Sequence, residues 1–153
     1  MSVKWIALLA ASMLILSASA GDAFACRNHL QSARIAIGSQ VQELGVIESK
    51  LLSRLTGANT PTYASLARET WSIIADLYPQ DAVVAERRYR RCRNWVPPVR
   101  RTCRDAAVRL VSVIQESASD HLTEETRLEY ARLISRCEMW LALPRRSSLL
   151  RIP

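Results

Sequence analysis

From Leu30 to Leu55 the apolar residues Leu30, Ile37, Val41, Leu44, Ile47, Leu51 and Leu55 are separated, after the first step, by threes and fours. That spacing is the period of an α-helix and places all of them on one face. Gly57, Asn59 and Pro61 follow at once, residues that end helices, so the spacing predicts a helix from about Arg27 to Leu55. A helix of that length with one apolar stripe must bury the stripe against other helices, and the remaining sequence supplies them. The chain has 153 residues, 49% hydrophobic, with only four glycines and one phenylalanine. This describes one globular domain rather than a multidomain enzyme, a β-rich protein or a disordered chain.

A second helix is expected from Thr60 or Thr62, with Tyr63, Leu66, Thr70, Ile74 and Leu77 inward and Pro79 interrupting it. A third resumes near Gln80 with Ala82, Ala85, Tyr89, Cys92 and Val96 at heptad-like spacing, and Pro97-Pro98 is expected to end it. A fourth, from about Val99 to Ser117, buries Val99, Cys103, Ala106, Leu110 and Val113 or Ile114. The last follows a capping region from Asp120 to Thr123 and turns Tyr130, Ile134, Cys137 and Leu141 inward, with Glu124 and Glu125 suited to its positive end. Gly38 and Gly45 lie seven apart in the first helix, a spacing that would admit close approach of a neighbour.

The first 25 residues read as a secretory signal peptide. Lys4 precedes an apolar run from Trp5 to Leu16, and small residues follow that allow cleavage after Ala20 or Ala25. The run is shorter than the roughly 20 residues that a spanning helix needs. Ala25-Cys26 also has the form of a lipoprotein processing site, but Ala23 is not the bulky aliphatic residue such a site uses. The expected product is an exported, periplasmic or secreted chain, with a helical domain over residues 26–144 and a basic tail over 145–153.

Four cysteines remain after export, Cys26, Cys92, Cys103 and Cys137, and an oxidising compartment favours their pairing. Cys92 lies five residues before Pro97 and Cys103 five after Pro98, so a helical hairpin turning at the two prolines would set them opposite each other. The expected bridges are therefore Cys92 to Cys103 and Cys26 to Cys137. The second ties the start of the first helix to the end of the last, which requires four antiparallel passes. The fold expected is all-α, a four-helix-bundle-like domain with one proline-interrupted helix, stapled by two disulfides.

The chain carries 21 Lys+Arg against 14 Asp+Glu, and 19 of the 21 are arginine. Eight of them, Arg87, Arg88, Arg90, Arg91, Arg93, Arg100, Arg101 and Arg104, fall in one stretch without an acidic residue. Arg145, Arg146 and Arg151 add three more in the tail, which leaves the rest of the exported chain mildly acidic. With Arg100 and Arg101 in the first turn of a helix, the macrodipole would disfavour them, and an anion bound there would offset that cost. These eight arginines and Trp95 are the candidate contacts for an anionic envelope component or an acidic partner protein. The tail, where arginines alternate with Leu149, Leu150 and Ile152, offers peripheral membrane contact. Export takes most cellular nucleic acid out of reach.

No nucleophile elbow, phosphate-cradling glycine loop or His-Glu-x-x-His frame occurs, and neither histidine, His29 or His121, sits in a catalytic frame. Cys26-Arg27-Asn28-His29 resembles half a zinc site without a second half. No cofactor, metal or catalytic residue is expected. The alternatives to an anion-binding module are an adaptor or oligomerising protein that uses an apolar bundle face, and a small enzyme or metal-binding protein.

Overall fold

The computed structural model describes residues 3–57, 61–77, 87, 96–144 and 149, with side chains described for 27–57, 61–77, 87, 98–144 and 149. Among these residues the chain is all-helical, with α1 over Val3–Leu55, α2 over Tyr63–Asp76, α3 over Val96–Ala118 and α4 over Glu124–Leu141. The expected third helix falls almost wholly outside the described residues, and so does the proline interruption at Pro79.

Local chemistry sets the boundaries. α1 continues through residues 3–25 because no proline occurs before Pro61 and that stretch is rich in Ala and Leu, both strong helix formers. Thr62 caps α2, its hydroxyl accepting from the Ser65 N–H at 3.2 Å, and Thr123 caps α4 in the same way through the Thr126 N–H at 3.2 Å. Glu124 and Glu125 occupy the first turn of α4, where the helix dipole favours them. α3 departs from expectation. It begins at Val96 and not near Val99, so Pro97 and Pro98 lie inside its first turn. Main-chain N–H groups in a first turn have no intrahelical acceptor, so two prolines cost the helix no hydrogen bond there.

The ends of α3 and α4 share one device. Asp120 and Ala142 both adopt left-handed backbone, with φ of 55° and 54°. The His121 N–H donates to the Glu116 carbonyl, and the Leu143 N–H to the Glu138 carbonyl, closing paired C-terminal caps. Glu116 reinforces the α3–α4 turn, accepting from the Thr126 hydroxyl at 2.9 Å and the Thr123 N–H at 3.3 Å.

Contacts between elements fix direction. Lys50 meets Glu69 at 2.8 Å and the Arg54 guanidinium lies 4.5 Å from the centre of the Tyr63 ring, so α1 and α2 are antiparallel. Arg109 meets Glu129 at 2.7 Å and Cys103 is bonded to Cys137, so α3 and α4 are antiparallel. Gly38 faces Leu143 while Glu48 meets Tyr130, which makes α1 antiparallel to α4. All four helices enter one core: Ile37, Leu44 and Leu51 from α1, Leu66 and Ile74 from α2, Val99, Leu110 and Ile114 from α3, and Tyr130 and Ile134 from α4. The inward positions expected for α1, α2, α3 and α4 are mostly those buried, and Val113 and Ile114 are both inside.

The disulfide differs from the expected pairing. Cys103 bonds Cys137 across α3 and α4, with Cα atoms 4.9 Å apart, and this rules out both Cys92–Cys103 and Cys26–Cys137. Two cysteines are symmetric about a turn, but the turn is α3–α4: Cys103 and Cys137 each lie 17 residues from Asp120. Cys103 faces α4 across the later turn, where Cys137 takes it as a partner. The Cys26 and Cys92 side chains lie outside the described residues. The glycine expectation also changes. A Cβ on Gly38 would only touch Leu143, at 4.0 Å, and one on Gly45 would meet nothing within 4 Å, so neither position requires glycine for close packing.

Proteolytic mapping of the unreduced protein is expected to recover Cys103 and Cys137 in one linked fragment; a Cys92–Cys103 fragment would contradict the α3–α4 register. The bridge closes a loop of 34 residues, so the double variant C103A/C137A should lose about 4 kcal/mol in chemical denaturation.

Candidate functional site

The arginine stretch and the α1–α4 seam are the two places where polar chemistry concentrates. In the first, α3 buries Val99, Cys103, Ala106 and Ala107, and this sets the direction of the residues between them. Arg101 and Arg104 are exposed and Arg100 is half-buried, on the second and third turns of the helix. Asp105 and Val108 continue the same outer face, and Arg87 is also exposed. Arg88, Arg90, Arg91, Arg93 and Trp95 lie outside the described residues, so the structure brings together three of the eight expected arginines.

The electrostatic argument for these arginines shifts with the start of α3. Arg100 and Arg101 stand a full turn inside the helix, and the dipole effect fades over that distance. Pro97 and Pro98 also remove two of the N–H groups that an anion at the helix start would use. Any anion here is therefore held by guanidinium groups and not by a main-chain cradle.

The second place is one the sequence reading passed over. Glu48 falls within the apolar stripe of α1, between Leu44 and Leu51, and only 3% of it is exposed. Its Oε2 accepts from the Tyr130 hydroxyl at 2.9 Å, and its Oε1 accepts from the Leu149 main-chain N–H at 2.9 Å. Leu149, from the stretch read as a basic tail, is fully buried and belongs to the core. Burying its side chain contributes about 2 kcal/mol, and a hydrogen bond to a charged acceptor about 1.5 to 3 kcal/mol. The signal for Glu48 was available, since an acid within an apolar stripe must find partners when it is buried. Nothing in the sequence marks Leu149 as distinct from Leu150.

Tyr130 is buried completely, and this pushes its hydroxyl well above the usual tyrosine range; the charge and hydrogen bond of Glu48 add to the effect, and the charge of Glu138 adds further. His121, at the opposite end of α4 from Cys137, holds the Ser119 carbonyl through Nδ1 in an exposed turn. Among the residues with described side chains, no three His, Cys, Asp or Glu groups converge as a metal site, and no helix is long and apolar enough to cross a membrane.

No protein-family model, curated protein or solved structure matches this chain.

The raised Tyr130 sets a pH dependence. Above about pH 10 the unfolded chain releases the Tyr130 proton and the folded chain retains it, so stability falls as pH rises, by up to about 1.4 kcal/mol per pH unit from this residue. Urea denaturation between about pH 9 and 11 should show Tyr130→Phe losing less stability with pH than the parent. Parallel curves for the two proteins would contradict the assignment.

Proposed function

We propose that this chain is an exported, non-enzymatic binding module, a four-helix-bundle-like domain with two disulfides that presents an arginine-rich tip to an anionic envelope component or an acidic partner protein. The observation that carries the reading is the segregation of charge. Eight arginines and no acidic residue lie between Arg87 and Arg104, while the rest of the exported chain outside the tail is mildly acidic. Ion pairing within the fold does not require such segregation. Arg109–Glu129, Lys50–Glu69 and Arg127–Glu124 pair basic residues with acids one by one along the helices, without gathering them. The exposure of Arg87, Arg101 and Arg104 supports contact with a partner, and the buried cysteine bridge on the opposite face of α3 supports a rigid presentation.

Arginine suits this role better than lysine would. Its planar fork pairs with two oxygens of a phosphate, sulfate or carboxylate at once, so a cluster recognises oxyanions with geometry as well as charge. The chemistry required of the module is binding alone.

A second reading, an adaptor that uses an apolar face, is favoured by a separate observation: Ile35, Trp71, Leu128 and Met139 are large apolar residues about half or more exposed. The two readings separate on one variant. Replacing Arg100 and Arg101 together by Gln leaves the core untouched and should weaken capture of envelope fractions about tenfold or more. Equal capture by variant and parent would sink the arginine-tip reading, and capture that persists in high salt would favour the apolar face.

A further inference from the structure

We infer that the outer face of α4, together with the turn of α3 bonded to it, is a surface on which this protein lies against an anionic phospholipid bilayer. The inference rests on the proposal that the chain meets an anionic envelope component, and it names that component as lipid. Four exposed residues form a band along α4: Leu128, Arg132, Arg136 and Met139. Steps of four, four and three residues keep to one side of a helix, and from Leu128 to Met139 the band spans about 16 Å. It runs opposite the buried side of the same helix, which carries Thr126, Tyr130, Ile134, Cys137 and Leu141. α4 is therefore apolar toward the core and mixed basic and apolar toward solvent.

The mixture points to lipid. Leu128 and Met139 are 48% and 60% exposed, and Trp140, beside Met139, is 39% exposed. Large apolar side chains next to arginines are the composition of a helix that lies in a bilayer interface. There the apolar groups reach the acyl boundary and the guanidinium forks meet phosphates. Tryptophan, with an apolar body and one polar N–H, suits the same depth. An acidic protein surface matches the arginines but gives Leu128 and Met139 no apolar phase to enter.

α3 widens this face. Arg109 meets Glu129 at 2.7 Å across the two antiparallel helices. Thr102 lies seven residues before Arg109, and Arg136 seven after Glu129, so two turns along each helix keep the register. Arg136 thus comes opposite Thr102, at the level of the Cys103–Cys137 bridge, with the exposed Arg101 next in the chain. The acid on this part of α3 is Asp105, one turn from Arg101, and Glu129 is already paired with Arg109. Arg101, Arg132 and Arg136 leave the face positive.

The test is co-sedimentation of the full-length protein with vesicles of phosphatidylglycerol and phosphatidylcholine in equal parts, and with vesicles of phosphatidylcholine alone. Parent and variants are compared in the same form, so the rest of the chain contributes equally to all. Arg132→Gln with Arg136→Gln should weaken binding to the anionic vesicles about tenfold or more and leave binding to phosphatidylcholine unchanged. Leu128→Ser with Met139→Ser should weaken binding to the anionic vesicles at least about threefold. All four positions are exposed, so the core is untouched. Anionic-vesicle binding that survives both double variants would overturn the surface. If it survives them but is lost in Arg100→Gln with Arg101→Gln, this surface falls and the arginine tip stands, so the two proposals fail separately. A polyglutamate peptide that loses affinity in Arg132→Gln with Arg136→Gln, while vesicle binding stays unchanged, would overturn the lipid assignment in favour of an acidic protein.

Discussion

The covalent bond between Cys103 and Cys137 fixes how α3 lies on α4, and the outward face of the molecule follows from it. α3 can rotate no further about its axis than the bridge permits, so Val99, Ala106 and Leu110 enter the core while Arg101, Arg104 and Val108 face away from it. The Glu116 contacts with Thr123 and Thr126 close the same hairpin at its turn, and Arg109–Glu129 lies between turn and bridge. That surface ion pair adds at most about 1 kcal/mol, so it records the register more than it maintains it. Burial of apolar surface and the cross-link maintain it.

Glu48 acts differently, through specificity. A carboxylate inside an apolar seam loses hydration, and its bonds from Tyr130 and Leu149 offset part of that loss in this alignment of α1, α4 and Leu149. A slip of one helical turn between α1 and α4 would leave the acid and the phenol buried without each other. An apolar residue at position 48 would tolerate several alignments. The polar pair thus links the burial of Leu149 to the packing of two helices, a connection invisible in either segment alone.

The positions and inward faces of α1, α2 and α4, and the inward face of α3, were legible in the sequence because they depend on local periodicity and capping. Thr62, Thr123, Gly57 and the spacing of Leu66, Thr70 and Ile74 each carry their signal within a few residues. The role of Pro97-Pro98 was not legible by the same means. Proline is compatible both with the residues after a helix and with its first turn, and only the tertiary course of the chain decides between them. The disulfide error followed from that choice, since the symmetry of two cysteines about a turn has meaning only once the turn is known. Leu149 was illegible for a further reason: its burial depends on a carboxylate 101 residues earlier, and no local pattern reports such a distance. Of the candidate site, the concentration of arginines was plain from composition, while the outward placement of Arg101 and Arg104 required the packing of α3.

A buried bridge lies on one side of α3 and exposed arginines on the other, and the function proposed for that charged face is oxyanion recognition. The central claim of that proposal is electrostatic, and the most direct measurement is the affinity of the protein for an anionic surface as ionic strength is varied. The account predicts that the logarithm of the binding constant falls linearly with the logarithm of salt concentration, with a slope reflecting several released ions. A slope near zero would contradict it, because association driven by apolar contact is not screened by salt.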